Sequence, residues 1–469
     1  MPKRNLIWAG AMALAAVLVI LLSRDGDRGG VTIIGRGDPL GEAIERIEDH
    51  YLYDVDGEAL RRGAIEAVVA SLDAYSTLVP ESASGQFGQR IGGRAFGLGL
   101  LYRLAGGRVE VIGPLPDSPA LAAGLGGGDE ILAIDGNRVA DLSEAQVRAR
   151  LSPRPGDRQL PVQLTVLAAR DEGLQQIQVT PSSYPIESVK GLYRDSHGQW
   201  VHSLGEGGLV YVRISEFLPH TKQRLLAVLR HEPSVSGLVL DLRNNPGGLL
   251  PVAIDTARAF IDDGLIAEVR YRNQPPRRHL ARGGRVFPAH VPMVVLINDQ
   301  TASGAELLAG ALGQHRRAVL VGTRTVGKGC VQSMFDLDGG LGRLNLTTAE
   351  FRVDPNTPIV RRPGAETWGI APHVEVFLPP VQADALALLR LRGEVVGPVS
   401  PGPSTRPTSD GAAEPDTFVE RLLAIDSQLN RAVGLLRAPG LMAPLLAAPE
   451  QEPAGADAEN PKPKGPQRD

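Results

Sequence analysis

The sequence predicts a multidomain α/β protein in which a largely parallel sheet follows a smaller β-rich module. Continuous apolar runs at 208–214 (GLVYVRI), 237–242 (GLVLDL), 293–298 (MVVLIN) and 318–323 (AVLVGT) alternate with helical stretches KQRLLAVLR, LPVAIDTARAFI and SGAELLAGAL. Strands that are apolar throughout are buried on both faces, as in a parallel sheet covered by helices. Ahead of them, 94–182 reads as strand, strand, turn, strand, helix and strand, and past residue 392 Pro and Ser replace both patterns. A chain of 469 residues with 43% hydrophobic content has room for several cores.

In chain order, residues 6–22 form an unbroken apolar or small run behind Lys3 and Arg4. As a helix, 17 residues reach about 25 Å, the short end of a membrane span. No small-x-small cleavage site and no lipobox cysteine follow, so 1–24 reads as an uncleaved signal-anchor in the inner membrane, with a cleaved signal peptide as the alternative. Arg24 and Arg28 on the far side weaken the charge bias. Either way the remainder is expected in the cell envelope, in the periplasm or another extracytoplasmic space. Residues 38–90 carry apolar positions at helical spacing (LGEAIERIEDHYL, GEALRRGAIEAVVASLD). The β-rich module at 94–182 and the α/β core at 184–380 come next. Then 393–416 (Pro/Ser-rich) has little capacity for a core and reads as a linker. Helical periodicity returns at 417–440 (FVERLLAIDSQLNRAVGLL), a helix expected to dock on a partner or second subunit, before a disordered tail at 441–469.

Composition narrows the chemistry. A net charge of −4 without a long basic run gives no push toward nucleic acid. One cysteine, Cys330, excludes an intramolecular disulfide framework and a cysteine zinc site. The nine histidines never form HExxH and no ATP-binding loop occurs, so neither a metal nor a cofactor is expected.

The residues that carry chemistry lie within 297–332, INDQTASGAELLAGALGQHRRAVLVGTRTVGKGCVQ. Ser303 stands at the mouth of a short Ala/Leu/Gly helix, whose first N–H groups are unpaired and lie at the positive end of its dipole. That suits a nucleophile and a developing oxyanion. After an apolar strand, Lys328 follows in a glycine-flanked turn, and consecutive α/β elements usually lie adjacent, returning the turn beside the serine. A lysine serves as base only as the neutral amine, which burial among apolar groups favours. Gln332 supplies an uncharged group to orient that amine.

These residues resemble the carboxyl-terminal processing peptidases, or tail-specific proteases. TASGAE is similar to that family's TASASE, VGKGCVQ to FGKGxVQ, DLRNNPGG at 241–248 to DLRxNxGG, and SLDAYS at 71–76 to SLDPYS. A closing run at 343–376 resembles the family's segment ending in GIxPD. Departures are Gly304 for Ala, Ala74 for Pro and His373 for Asp, and His373 is read as structural. The 94–182 module, with SPALAAGLGGGDEILAIDG, resembles a protease-linked PDZ domain. The resemblance implies a crotonase-like α/β protease core with additional β strands and a catalytic set of Ser303, Lys328 and Gln332. It further implies an oxyanion hole from backbone donors of Gly304 and of Gly247 or Gly248, each such donor stabilising the transition state by roughly 3 to 4 kcal/mol. In the PDZ module, N–H groups around Phe96, Gly97, Leu98, Gly99 and Leu100 would hold a terminal carboxylate, and the strand behind them would pair with an extended tail. Asp241 and Arg243 read as an ion pair or cap. The implied partners are polypeptides with free carboxyl termini, with a homo-oligomer or adaptor protein in addition. A protease of the His-Asp-Ser type is disfavoured because no GNSGG-like loop occurs. The rival from another class is a non-catalytic PDZ-containing envelope scaffold.

Overall fold

A computed structural model describes residues 39–447 apart from 154–159, 170–172, 206, 233, 338–339, 355–357 and 397–416. The apolar run at 6–22, most of the Pro/Ser-rich linker and the tail beyond 447 lie outside the described residues. Among the described residues, no helix is long and apolar enough to cross a membrane.

The chain divides into two compact units, the first ending at Leu72 and the second beginning at Asp73. The first contains helices Pro39–His50 and Gly57–Ala70. Asp56 caps the second of these by accepting from the Glu58 and Ala59 N–H groups at 2.9 and 3.1 Å.

In the second unit, the PDZ-like module is an antiparallel sheet of strands Leu100–Ala105, Arg108–Pro114, Glu130–Ile134, Val162–Leu167 and Leu174–Val179, in that spatial order. Helix Glu144–Leu151 opens with a Ser143/Gln146 capping box. It packs Val147 and Leu151 onto a core of Val109, Val111, Ile131, Ile134, Leu164 and Val166. Strand Leu100–Ala105 ends the sheet, so one of its edges is unpaired among the described residues. A separate pair, Arg94–Gly97 with Ser182–Pro185, joins the chain's entry into the module to its exit.

The α/β core is a six-stranded sheet in the order Val189–Lys190, Leu209–Ile214, Gly237–Asp241, Met293–Ile297, Val319–Gly322 and Val374–Glu375. All neighbours are parallel except the first pair. Alternate side chains face opposite ways. Val210, Val212, Leu238, Leu240, Met293 and Val295 pack on one side with Leu225, Ile254, Leu307 and Leu308 of helices Thr221–His231, Leu250–Arg258 and Gly304–Gln314. The other side carries Leu209, Tyr211, Val239, Val294, Leu296, Val319 and Val321, and it is covered by Leu422, Leu429, Ala432, Val433, Leu435 and Leu436.

Those last residues belong to helices Phe418–Ile425 and Ser427–Arg437. The single helix expected to dock on a partner is therefore two helices broken at Asp426, and they dock on their own chain. The physical reason is the strands themselves, which are apolar on both faces and need a second covering layer. A short helix at Met442–Leu446 extends this layer into the stretch expected to be tail.

The additional strands form an antiparallel sheet of Thr77–Val79, Gly342–Arg352, Asp263–Tyr271 and Arg277–Arg282, with Cys330–Leu337 also paired to Gly342–Arg352. Thr77–Val79 falls inside the stretch expected to be helical through residue 90. Its pairing carries residues 73–76 onto the sheet that supports the turn at 327–329.

Candidate active site

Ser303 stands where the chain leaves strand Met293–Ile297 and enters helix Gly304–Gln314, with φ 53° and ψ −119°. A residue with a Cβ pays for that conformation in strain and holds it only where its surroundings over-determine it. They do so here. The Ala302 N–H donates to the Asn245 carbonyl at 2.9 Å, and the Thr301 hydroxyl donates to the Leu242 carbonyl at 2.9 Å. A sharp strand-to-helix turn of this kind presents the serine hydroxyl at the top of the sheet.

The residue that organises the site is one the motif reading passed over. Glu306 is fully buried, and its carboxylate accepts four hydrogen bonds. One oxygen takes the Ser303 N–H at 2.9 Å and the Lys328 N–H at 2.7 Å. The other takes the Thr325 hydroxyl at 2.5 Å and the Gly327 N–H at 2.7 Å. The main-chain nitrogens of the serine and the lysine thus share one acceptor atom. Burial raises the Glu306 pKa above its ordinary value, and the four donors partly oppose that rise. The signal was present in the sequence, since Ser303 and Glu306 have capping-box spacing at a helix start.

Lys328 is partly buried, and its Nζ lies 5.2 Å from the centroid of the Tyr75 ring, making no hydrogen bond to Ser303 among the described residues. Tyr75, from SLDAYS, is a second residue that sequence reasoning did not place here. Its turn is tied down by Asp73, which accepts from the Tyr75 and Ser76 N–H groups at 2.7 Å each. The Ser76 hydroxyl in turn accepts the Thr347 N–H at 3.1 Å. Burial, with the negative groups around it, raises the Tyr75 phenol pKa.

Among the described residues, Gln332 makes no hydrogen bond to the Lys328 amine. Its Nε2 donates to Cys330 Sγ at 3.1 Å and to Thr347 Oγ1 at 3.4 Å, because the three residues meet on one face of the paired strands. Cys330 is buried and its thiol pKa is raised, chiefly by that burial.

The glycine loop lies against the serine. A Cβ on Gly247 would stand 2.7 Å from Ser303 Cβ and 2.9 Å from the Gly304 nitrogen, and φ at Gly247 is +104°. The two glycines differ in what their N–H groups do. The Gly247 N–H is bound to Asn245 Oδ1 at 2.8 Å. Gly248 forms a parallel bridge with Phe217, in which the Phe217 N–H reaches the Gly247 carbonyl at 2.7 Å and the Leu249 N–H reaches the Phe217 carbonyl at 2.8 Å. That pattern leaves the Gly248 N–H without a partner among the described residues, and Gly248 is solvent-exposed whereas Gly247 is buried.

In the PDZ-like module, Phe96 and Gly97 end the strand paired with Ser182–Pro185, and Leu98 turns into the core. Gly99 has φ +68°, and a Cβ there would fall 2.2 Å from Ser118 Cβ. Leu100 begins the strand with the open edge. His373 has a structural role, its Nδ1 accepting the Leu320 N–H at 2.9 Å, and burial lowers its pKa.

Residues 208–376 match peptidase family S41, and residues 78–167 match the PDZ domain. The chain is 32% identical over 411 residues to a carboxy-terminal-processing protease of Bartonella bacilliformis, covering 85% of this chain and 87% of that one. It is 30% identical over 346 residues to a carboxy-terminal processing protease of Bacillus subtilis, covering 73% of this chain and 69% of that one. Among solved structures it is similar to a photosystem II D1 C-terminal processing protease at 28% identity. That match spans 71% of this chain and 86% of that one, with a TM-score of 0.39.

Proposed function

Because the chain belongs to the carboxyl-terminal processing proteases of peptidase family S41, we propose that it is a serine endopeptidase cutting polypeptide tails with a Ser303–Lys328 dyad. The observation that carries this reading is the shared Glu306 oxygen, which draws the serine and lysine main chains together at the start of one helix.

The neutral Lys328 amine takes the proton of the Ser303 hydroxyl as its oxygen attacks the scissile carbonyl. To do so it leaves the face of Tyr75 by rotation of its four-carbon stem. The oxyanion is held by the N–H groups of Gly248 and Gly304. Gly247 serves by having no side chain, since any Cβ would occupy the space beside Ser303 and the Gly304 nitrogen. The lysine ammonium then protonates the leaving amine, and water, deprotonated by the same lysine, hydrolyses the ester. Gln332, with its Nε2 committed to Cys330 and Thr347, offers Oε1 to the ammonium during the cycle.

The PDZ domain brings the substrate. The N–H groups of Leu98 and Gly99 make no hydrogen bond to the described residues and take the terminal carboxylate, while the open edge of Leu100–Ala105 pairs with the extended tail. The apolar run at 6–22 supports an anchored enzyme acting on exported proteins, which alkaline extraction of membranes tests directly.

The deciding experiment uses an unfolded peptide with an apolar free carboxyl terminus, incubated with wild type, Ser303→Ala and Lys328→Ala. Cleavage is expected in wild type alone and should weaken when the terminus is amidated. Turnover surviving in both variants would remove the dyad assignment, and indifference to amidation would remove carboxylate capture.

A further inference from the structure

The DLR segment that leads into the glycine loop is tied to the carboxyl-terminal helices by a charge network whose two carboxylates and central arginine are buried, with Arg390 at its partly exposed margin. Arg243 Nε and Nη2 donate to Asp241 at 3.0 and 2.7 Å, while Nη1 and Nη2 donate to Asp426 at 2.8 and 2.7 Å. Nη1 also reaches Gln428 Oε1 at 2.9 Å. Arg390 donates to Asp241 at 2.7 Å, and the Tyr211 hydroxyl does the same. Asp241 and Asp426 are 0% exposed and Arg243 is 3% exposed. Two cations meet two anions, so the cluster is neutral.

A buried ion network of this sort is weak evidence for stability, because well-packed apolar residues often serve equally well. What it supplies here is direction. Arg243 is followed at once by the loop 244–248, whose far side is fastened to the serine's own turn. The Asn244 N–H donates to Asn298 Oδ1 at 2.9 Å, Asn298 Nδ2 donates to Asn244 Oδ1 at 2.7 Å, and the Asn245 carbonyl accepts the Ala302 N–H at 2.9 Å. The loop is thus gripped between the serine turn and the guanidinium. The guanidinium is set by Asp426, which sits at the break between helices Phe418–Ile425 and Ser427–Arg437 and caps the second through the Leu429 N–H at 3.0 Å.

We propose that the carboxyl-terminal helical segment is part of the catalytic apparatus, with Asp426 and Gln428 acting through Arg243 as positioning residues for the oxyanion donor of Gly248. This rests on the serine protease reading above and extends it to a segment outside the family match at 208–376.

The test uses the full chain with Asp426→Asn, which keeps the side-chain volume and the capping oxygen but removes the charge. A second variant, Gln428→Ala, removes no charge and two hydrogen bonds, the one from Arg243 Nη1 at 2.9 Å and the one its Nε2 donates to the Val376 carbonyl at 2.8 Å. With a tail peptide, kcat is expected to fall about 10- to 100-fold in Asp426→Asn, below the loss for a missing oxyanion donor, and by a smaller factor in Gln428→Ala. KM should stay within about twofold, since a displaced donor weakens only the transition state. Affinity for a peptide boronate, which forms a tetrahedral adduct on the serine, should fall in parallel with kcat.

Folded Asp426→Asn with wild-type kcat and boronate affinity would overturn the proposal. So would a rise in KM at constant kcat. If Asp426→Asn fails to fold, Gln428→Ala decides alone, and wild-type values there overturn it. Ser303→Ala run beside them separates the two levels. If that variant still cleaves, the protease site itself is misassigned; if it is inactive and the other two match wild type, only the role of the carboxyl-terminal segment fails.

Discussion

Replacing Glu306 by Gln tests the arrangement at its centre. The carboxylate uses both oxygens as double acceptors, so an amide can satisfy only one pair of donors. With its oxygen toward Ser303 and Lys328, its NH2 faces Thr325 and Gly327. The Thr325 hydroxyl can turn and accept, but the Gly327 N–H is orphaned. A buried N–H left unsatisfied costs about 1–3 kcal/mol, and at about 1.4 kcal/mol per tenfold in rate a comparable loss of alignment lowers kcat about 5- to 150-fold.

The pH dependence carries a further signature. Because burial raises the folded-state pKa of Glu306, the folded protein holds this proton more tightly than the unfolded chain does. The group's contribution to stability is therefore fully present below its unfolded pKa, near 4.3, and is lost as pH rises through the raised folded value. Activity runs the other way, since only the carboxylate accepts all four donors. Wild type should gain kcat as pH rises through that window while this contribution to stability declines, and Glu306→Gln should lack both changes. Steady-state kinetics and thermal melts across mildly acidic pH measure them. A folded Gln variant with wild-type kcat and an unchanged acid limb would refute the reasoning.

Two further outcomes follow from the same geometry. Gly247→Ala places a methyl 2.7 Å from Ser303 Cβ at a positive φ. Overpacking of about 1–3 kcal/mol beside the Gly304 N–H should lower kcat by at least about fivefold, and a variant within threefold of wild type by steady-state kinetics contradicts the placement of that loop. Tyr75→Leu removes the ring face that attracts the Lys328 ammonium. Losing about 1 kcal/mol of that attraction should raise kcat about fivefold, whereas a tenfold fall would mean that the ring aligns the amine.

The sequence by itself determined what depends on neighbouring residues. Strand runs without polar alternation required a sheet covered on both sides, and the observed parallel strands follow them within a residue or two. Spacing around Ser303, Lys328 and DLRNNPGG marked the segments that meet, because the glycines and small residues there report local backbone demands. Periodicity records which positions are buried and not what buries them, so it cannot tell a helix that docks on a partner from these carboxyl-terminal helices, which cover the second face of their own sheet. The same holds for single atoms. Tyr75 reaches Lys328 only because Thr77–Val79 pairs with Gly342–Arg352, and Arg243 meets Asp426 across 183 residues of chain. Gly247 and Gly248 are alike in sequence, and the fold separates them by burying Gly247 and by bridging Gly248 to Phe217 with its N–H toward solvent. Tertiary structure decides such matters because a hydrogen bond depends on where its partner is in space, and that is set by how distant strands register.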